Sequence, residues 1–120
     1  MDEFDMGELG MGERYYHLTE SAVDRVVTPE RGNYALGFLR DDGFVPRWVG
    51  RSTNLRGRLK DHVDEGHPLF KFRYVGPERE SFDIECANYH AFKKQLVNRV
   101  HPRRPKGQRW PCPLVGCRDW

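Results

Sequence analysis

No stretch of the 120-residue chain is apolar over the roughly 18 residues that a membrane-spanning helix requires. Its first residues, MDEFDMGELGMGER, lack the basic start and apolar centre of a secretory signal. These absences speak against a membrane partner and set a cytoplasmic, reducing location as the expectation. Cysteine is scarce and odd in number, at Cys86, Cys112 and Cys117. In a reducing location three cysteines speak against a disulfide framework and leave free thiols or a metal site. Hydrophobic content is low, at 38%, with a mean hydropathy of −0.81. That content and length suit one modest core and exclude two full ones.

Charge is present, and it is unevenly spread. Residues 1–30 carry eight acidic side chains against Arg14 and Arg25, whereas the remaining ninety residues carry eighteen basic and ten acidic ones. A basic body behind an acidic leader suits a polyanionic partner. A solvated charged surface is the plainer reading of the same numbers.

The chain divides readily at its turn signals. Residues 1–14 read as a flexible acidic leader. The run from 15 to 27 reads as a helix, with Thr19 or Ser21 as its cap. Asn33–Arg40 and Val45–Gly50, joined through Asp41-Asp42-Gly43, read as a β-hairpin, with Pro46 confined to a strand start or edge. Leu55, Leu59 and Val63 form the core stripe of a helix over about 54–65, which Gly66 ends. Leu69–Val75 alternates as a third strand. Ser81 opens a longer helix to about Val97, stopped by Pro102 and Pro105. The expected fold is therefore α+β: a three-stranded antiparallel sheet flanked by helices, in the order β-β-α-β-α, with an irregular tail rich in Cys, Pro and Arg over 106–120.

Two helices carry unusual polar residues. Phe82, Glu85, Tyr89, Phe92 and Leu96 fall on one stripe, so an acid stands in a core-facing row. A buried carboxylate is costly unless it is paired or bound to a metal. Arg58 and His62, at i and i+4, lie about 60° to one side of the leucine stripe of their helix. Ahead of that helix runs Gly50-Arg51-Ser52-Thr53-Asn54. Free amides there, with Arg51, Ser52 and Asn54, would suit a phosphate.

The ordered set Gly32-Asn33-Tyr34, Trp48-Val49-Gly50-Arg51, the helix Asn54–His62 and a later helical Glu85 resembles the GIY-YIG nuclease superfamily. The resemblance covers roughly residues 30–105, within a domain spanning 15–105. It implies metal-dependent hydrolysis of phosphodiester bonds, in DNA more than RNA. On that basis Glu85 would hold one Mg²⁺ or Mn²⁺ ion and Arg58 would stabilise the transition state. Tyr34 would orient or activate water, His62 would assist proton transfer, and Arg51 would bind phosphate. The chain departs from the pattern at two positions. Trp48 stands where the second motif has a tyrosine, and indole donates a hydrogen bond but cannot accept a proton. The Asn often found after the last helix has no counterpart in Pro102-Arg103-Arg104-Pro105. The alternative is thus a nucleic-acid-binding module on this fold, with catalysis weak or lost.

The tail adds a second candidate centre. Cys86 and His90 share a helix face, and Cys112 and Cys117 form a C-x4-C pair, so the four could make a tetrahedral Zn²⁺ set with His101 as a substitute ligand. Lys93, Lys94, Arg99, Arg103, Arg104, Lys106 and Arg109, near Trp110 and Trp120, suit contact with a nucleic-acid backbone and its bases.

Overall fold

The computed structural model describes residues 9–41, 43–98, 100–114 and 117. Its elements are β1 (Tyr16–His17), α1 (Glu20–Val26), β2 (Gly32–Arg40), β3 (Gly43–Ser52), α2 (Leu55–Asp61), β4 (Leu69–Tyr74) and α3 (Glu78–Phe92), with a 3-10 turn at Val63–Glu65. The sheet is antiparallel in the order β1-β4-β2-β3. It has four strands rather than the three expected, because Tyr16 and His17, expected within the first helix, instead pair with Phe70 and Leu69. Two residues are too few for an alternating pattern to show.

Strand β2 is central and carries side chains into a core on each face. Tyr34 and Leu36 pack with Leu18, Val23, Val27, Leu55, Leu59 and Phe70. Ala35 packs on the other side with Val49, Tyr89, Phe92 and Leu96. Burial on both faces explains why β2 reads as a nearly continuous apolar run. Leu9 and Met11, expected within a flexible leader, are buried in the core on the α3 side.

Strand β3 is an edge, and its exposed side is managed by the chain itself. Leu36 faces Trp48 and Gly37 faces Pro46, so Arg47 is the extra residue of a bulge. Pro46, which has no N–H to offer a ladder, thus sits on an edge strand next to a bulge. After α3 the backbone N–H of Val97 donates to the Arg47 carbonyl at 2.6 Å. The Asn98 carboxamide accepts from the Val49 N–H at 3.3 Å and donates to the Val49 carbonyl at 2.7 Å.

The helices are shorter or shifted relative to expectation. Thr19 caps α1 by accepting from the Ala22 N–H. The expected helix over 54–65 breaks at His62 into the 3-10 turn, and Gly66, at φ 95°, ends it in a left-handed conformation. Helix α3 starts just after Pro77 and ends at Phe92 rather than Val97, because the following residues are drawn onto the β3 edge.

Candidate active site and tail metal cluster

Tyr34 lies in β2 opposite Gly50 of β3. A Cβ at Gly50 would stand 2.5 Å from the Tyr34 hydroxyl, so the glycine of the second motif makes room for the ring of the first. The hydroxyl reaches His62 Nε2 at 3.0 Å. Trp48 and Arg58 stand beside it as donor groups that favour its charged form. Its proton points to His62 Nε2, because the Glu65 carboxylate at the other ring nitrogen can only accept. The network then assigns the remaining ring proton to His62 Nδ1, which donates to Glu65 Oε1 at 2.6 Å. In a 3-10 turn side chains three apart eclipse one another, so the break at His62 brings Glu65 beneath it. The result is a Glu65–His62–Tyr34 line of hydrogen bonds. Its inner members are buried, and Glu65 is exposed.

Trp48 packs edge-on against His62, with ring centroids 5.1 Å apart. It packs against the imidazole and stands as a donor group beside Tyr34. Burial raises the Tyr34 hydroxyl above its ordinary value of 10.0, and the Trp48 and Arg58 donors offset part of that rise. The phenol is therefore neutral at physiological pH, set to pass a proton on rather than to stand as a phenolate.

The acid comes from the opposite face of the sheet. Glu85 of α3 is paired with Arg51 of β3. Burial pushes the Glu85 carboxyl up, while Arg51 and then Arg58 pull it down, leaving it above the ordinary range. Arg51 also donates to the Arg103 carbonyl at 2.7 Å, and its guanidinium lies 5.3 Å from the Phe82 ring centroid. Tyr34 and Arg58 from one face and Arg51 and Glu85 from the other thus interact around β3. Each of Tyr34 and Glu85 feels the charge of Arg58.

Ser52 and Asn54 take structural parts. Asn54 caps α2 by accepting from the Gly57 N–H at 2.9 Å, and Ser52 Oγ bonds the Asn54 backbone on both sides. The Leu55 N–H is bonded to the Glu30 carbonyl. With these groups engaged, the charged donors on this side are Arg51 and Arg58.

Three contributors escaped the sequence reading. Glu65 lies beyond the expected end of motif interest at His62. Asn33, inside Gly32-Asn33-Tyr34, exchanges two hydrogen bonds with Ser81 and so fixes the start of α3. Asn98 follows the end of α3 at Phe92 and is bonded to the Val49 backbone next to Gly50.

The tail holds a second cluster. Ligand atoms of His90, His101, Cys112 and Cys117 all lie within 4.8 Å of one another. His101 therefore stands in the set where Cys86 was expected. Cys86 is fully buried and packs with Phe82 and Cys112. Burial and the neighbouring Cys112 sulfur push its thiol strongly up, as befits a small apolar core residue. Lys93, Lys94, Arg103, Arg104, Lys106 and Arg109 are exposed, and Arg99 lies outside the described residues.

No protein-family model and no curated protein sequence matches the chain. The fold is nonetheless a known α+β one. Among solved structures it is similar to the GIY-YIG N-terminal endonuclease domain of UvrC from Thermotoga maritima, solved as a point mutant bound to its catalytic divalent cation. The TM-score is 0.50 at 18% identity, over 62% of this chain and 93% of that domain. The likeness shows the GIY-YIG fold. Among the described residues no helix is long and apolar enough to cross a membrane.

Proposed function

We propose that the chain is a divalent-metal-dependent endonuclease domain that hydrolyses phosphodiester bonds in DNA. The observation that carries this reading is the Glu65–His62–Tyr34 hydrogen-bond line beside Arg58, with Glu85 across the β3 edge. Tyr34 takes a proton from the attacking water as its own proton passes to His62 Nε2. Glu65 holds the imidazole in the tautomer that accepts there and stabilises the imidazolium that results. The water oxygen bonds to phosphorus, the phosphorus–oxygen bond to the leaving nucleotide breaks, and the leaving oxygen is protonated through solvent. Arg58 and Arg51 stabilise the charge that gathers on the phosphoryl oxygens.

Glu85 suits one Mg²⁺ or Mn²⁺ ion. It is a single hard carboxylate that solvent still reaches, and a cation preferring oxygen and water needs little more. Such an ion, when bound, would neutralise phosphate charge. Arg51 already holds one Glu85 oxygen, so this residue must yield toward the substrate when the carboxylate is engaged. The exposed Lys93, Lys94, Arg103, Arg104, Lys106 and Arg109 would guide the DNA backbone. The tail cluster would hold structural Zn²⁺, since two sulfurs and two imidazoles suit that ion and not Mg²⁺.

Nicking of supercoiled plasmid and branched DNA with Mg²⁺ or Mn²⁺ tests the proposal. Glu85→Ala should abolish cleavage, and cleavage unaltered by that change would rule the site out. Trp48 motivates one other reading, a DNA-binding module without turnover, because a donor occupies the position of the second tyrosine. Under that reading wild type binds in a salt-sensitive manner without cutting, and Trp48→Tyr creates cleavage.

A further inference from the structure

The tail cluster and the candidate active site each take one residue from α3, His90 and Glu85, and a short strap joins them. His101 is one candidate ligand, and its Nε2 is 3.3 Å from Cys117 Sγ. Its other ring nitrogen, Nδ1, is 2.9 Å from the Pro102 carbonyl. A metal-bound histidine ordinarily donates its second N–H to such an acceptor, which fixes the ring and leaves the other lone pair for the ion. His90 Nε2 is 3.6 Å from Cys112 Sγ. In a tetrahedral zinc site with ordinary bond lengths, neighbouring ligand atoms stand roughly 3.3–3.8 Å apart. Both measured pairs fall in that interval.

One residue beyond Pro102, the Arg103 carbonyl accepts from Arg51 Nη2. The other end of the same guanidinium binds Glu85. On its flat face lies Phe82, which in turn meets Trp110 of the tail at 6.5 Å between centroids. One support of Arg51, the Arg103 carbonyl, therefore depends on where the tail is held, and a second, the Phe82 ring, packs against Trp110 of the tail. The tail has no helix or strand of its own among the described residues, so side-chain contacts must hold it.

We propose that His90, His101, Cys112 and Cys117 bind one Zn²⁺ ion, and that this ion sets the position of Arg51 through the strap 101–105. The second half rests on the reading of Arg51 as a group of the phosphodiester site. On binding, two Zn–S and two Zn–N bonds form, the two thiols release their protons to solvent, and the filled site is electrically neutral. The strap then presents a fixed carbonyl that anchors Arg51 at the edge of the site. Without the ion Arg51 loses that acceptor, and Arg103 and Arg104 lose their place beside it.

The coupling can be measured from the zinc side, without DNA, because linkage is reciprocal. The full chain is titrated with Zn²⁺ against a competing fluorescent chelator, and with Co²⁺ read by the intense visible bands of a tetrahedral sulfur-ligated ion. Wild type should take up one equivalent of Zn²⁺ and show those bands. Arg51→Ala should weaken zinc affinity by about 5-fold or more. Lys60→Ala, which removes a surface pair with Asp24, should leave affinity unchanged. Absence of a tight equivalent and of the tetrahedral cobalt spectrum in wild type overturns the metal site. Normal uptake with the same affinity in Arg51→Ala overturns the coupling. Neither result depends on DNA cleavage, so loss of the nuclease reading would be seen separately in the plasmid assay.

Discussion

The β3 edge and the tail cluster are two ways of gathering reactive side chains on one small domain. At the edge, every participant is placed by regular structure. Tyr34 is fixed by strand register, His62 and Glu65 by the end of α2 and its 3-10 turn, and Glu85 by α3. Tyr34 and His62 are buried, and the sheet and helices hold all four groups whether or not a ligand is bound. In the tail, His101, Cys112 and Cys117 come from chain with no regular element, and only His90 stands on a helix. Burial of a few side chains against Phe82 and Cys86 is a weaker constraint than a ladder. The first region should therefore fail through loss of chemistry, and the second through loss of position.

The largest expected effect separates the two regions directly. Arg58→Ala should lower the single-turnover cleavage rate at saturating DNA by on the order of 10²–10³-fold, as for loss of a preorganised transition-state donor. Arg104→Ala should leave that rate unchanged and reduce the salt dependence of DNA affinity by about one phosphate contact. Fluorescence anisotropy across a salt series, beside quenched-flow cleavage, reads both. Equal effects of the two changes on rate would erase the distinction.

The hydrogen-bond line within the edge site gives the next effect. Tyr34→Phe should slow cleavage by roughly 10²-fold, the lower range for a proton-transfer group. Glu65→Gln should cost less, about 10-fold in kcat with KM held, because it acts through His62 rather than on the substrate. If the three residues work as a unit, adding Glu65→Gln to Tyr34→Phe should cost little more than Tyr34→Phe alone. Fully multiplicative losses would mean that Glu65 acts elsewhere.

A smaller effect concerns the edge itself. Asn98 replaces a neighbouring strand for Val49 by offering one donor and one acceptor. Asn98→Ala leaves both Val49 groups without this partner and should cost about 1–3 kcal/mol in denaturant unfolding. Its influence on cleavage should follow only from displacement of the adjacent Gly50. A stability within error of wild type would show that water satisfies the edge as well as Asn98 does.

How much of this was legible before the fold was seen depends on the range of the interactions involved. The hairpin, the third long strand and the GIY-YIG order of Tyr34, Arg58 and Glu85 follow from periodicity and motif spacing, which are local. The pairing of Arg51 with Glu85 is consistent with a charged residue in an apolar stripe, but the partner lies 34 positions away. Strand β1 was invisible because two residues carry no period. Glu65 was missed because a helix was extended through His62, and its role exists only because that helix tightens there. Asn98 was missed for the opposite reason, a helix extended beyond Phe92. The substitution of His101 for Cys86 in the metal set turns on a tail path that no local signal encodes. Trp48 was read only as a missing tyrosine, whereas its contacts give it a donor's part beside Tyr34 and His62.

The smallest effect asks what the fold does to Glu85 when nothing but Arg51 accompanies it. Burial outweighs the two arginines and holds the carboxyl above its ordinary value of 4.5. The folded chain therefore keeps this proton at pH values where the unfolded chain has lost it. By linkage, the stability owed to Glu85 is greatest below 4.5 and falls as pH rises through the folded value. Relative to Glu85→Gln, which does not titrate, wild type should lose stability steadily over that window in paired denaturation series. A divalent ion favours the charged form, so Mg²⁺ should recover wild-type stability above the window and leave Glu85→Gln unmoved. The opposite slope, with wild type gaining on the variant as pH rises, would mean that Arg51 and Arg58 outweigh burial. The edge site would then be complete as an ion pair, and its carboxylate would have no reason to exchange Arg51 for a metal.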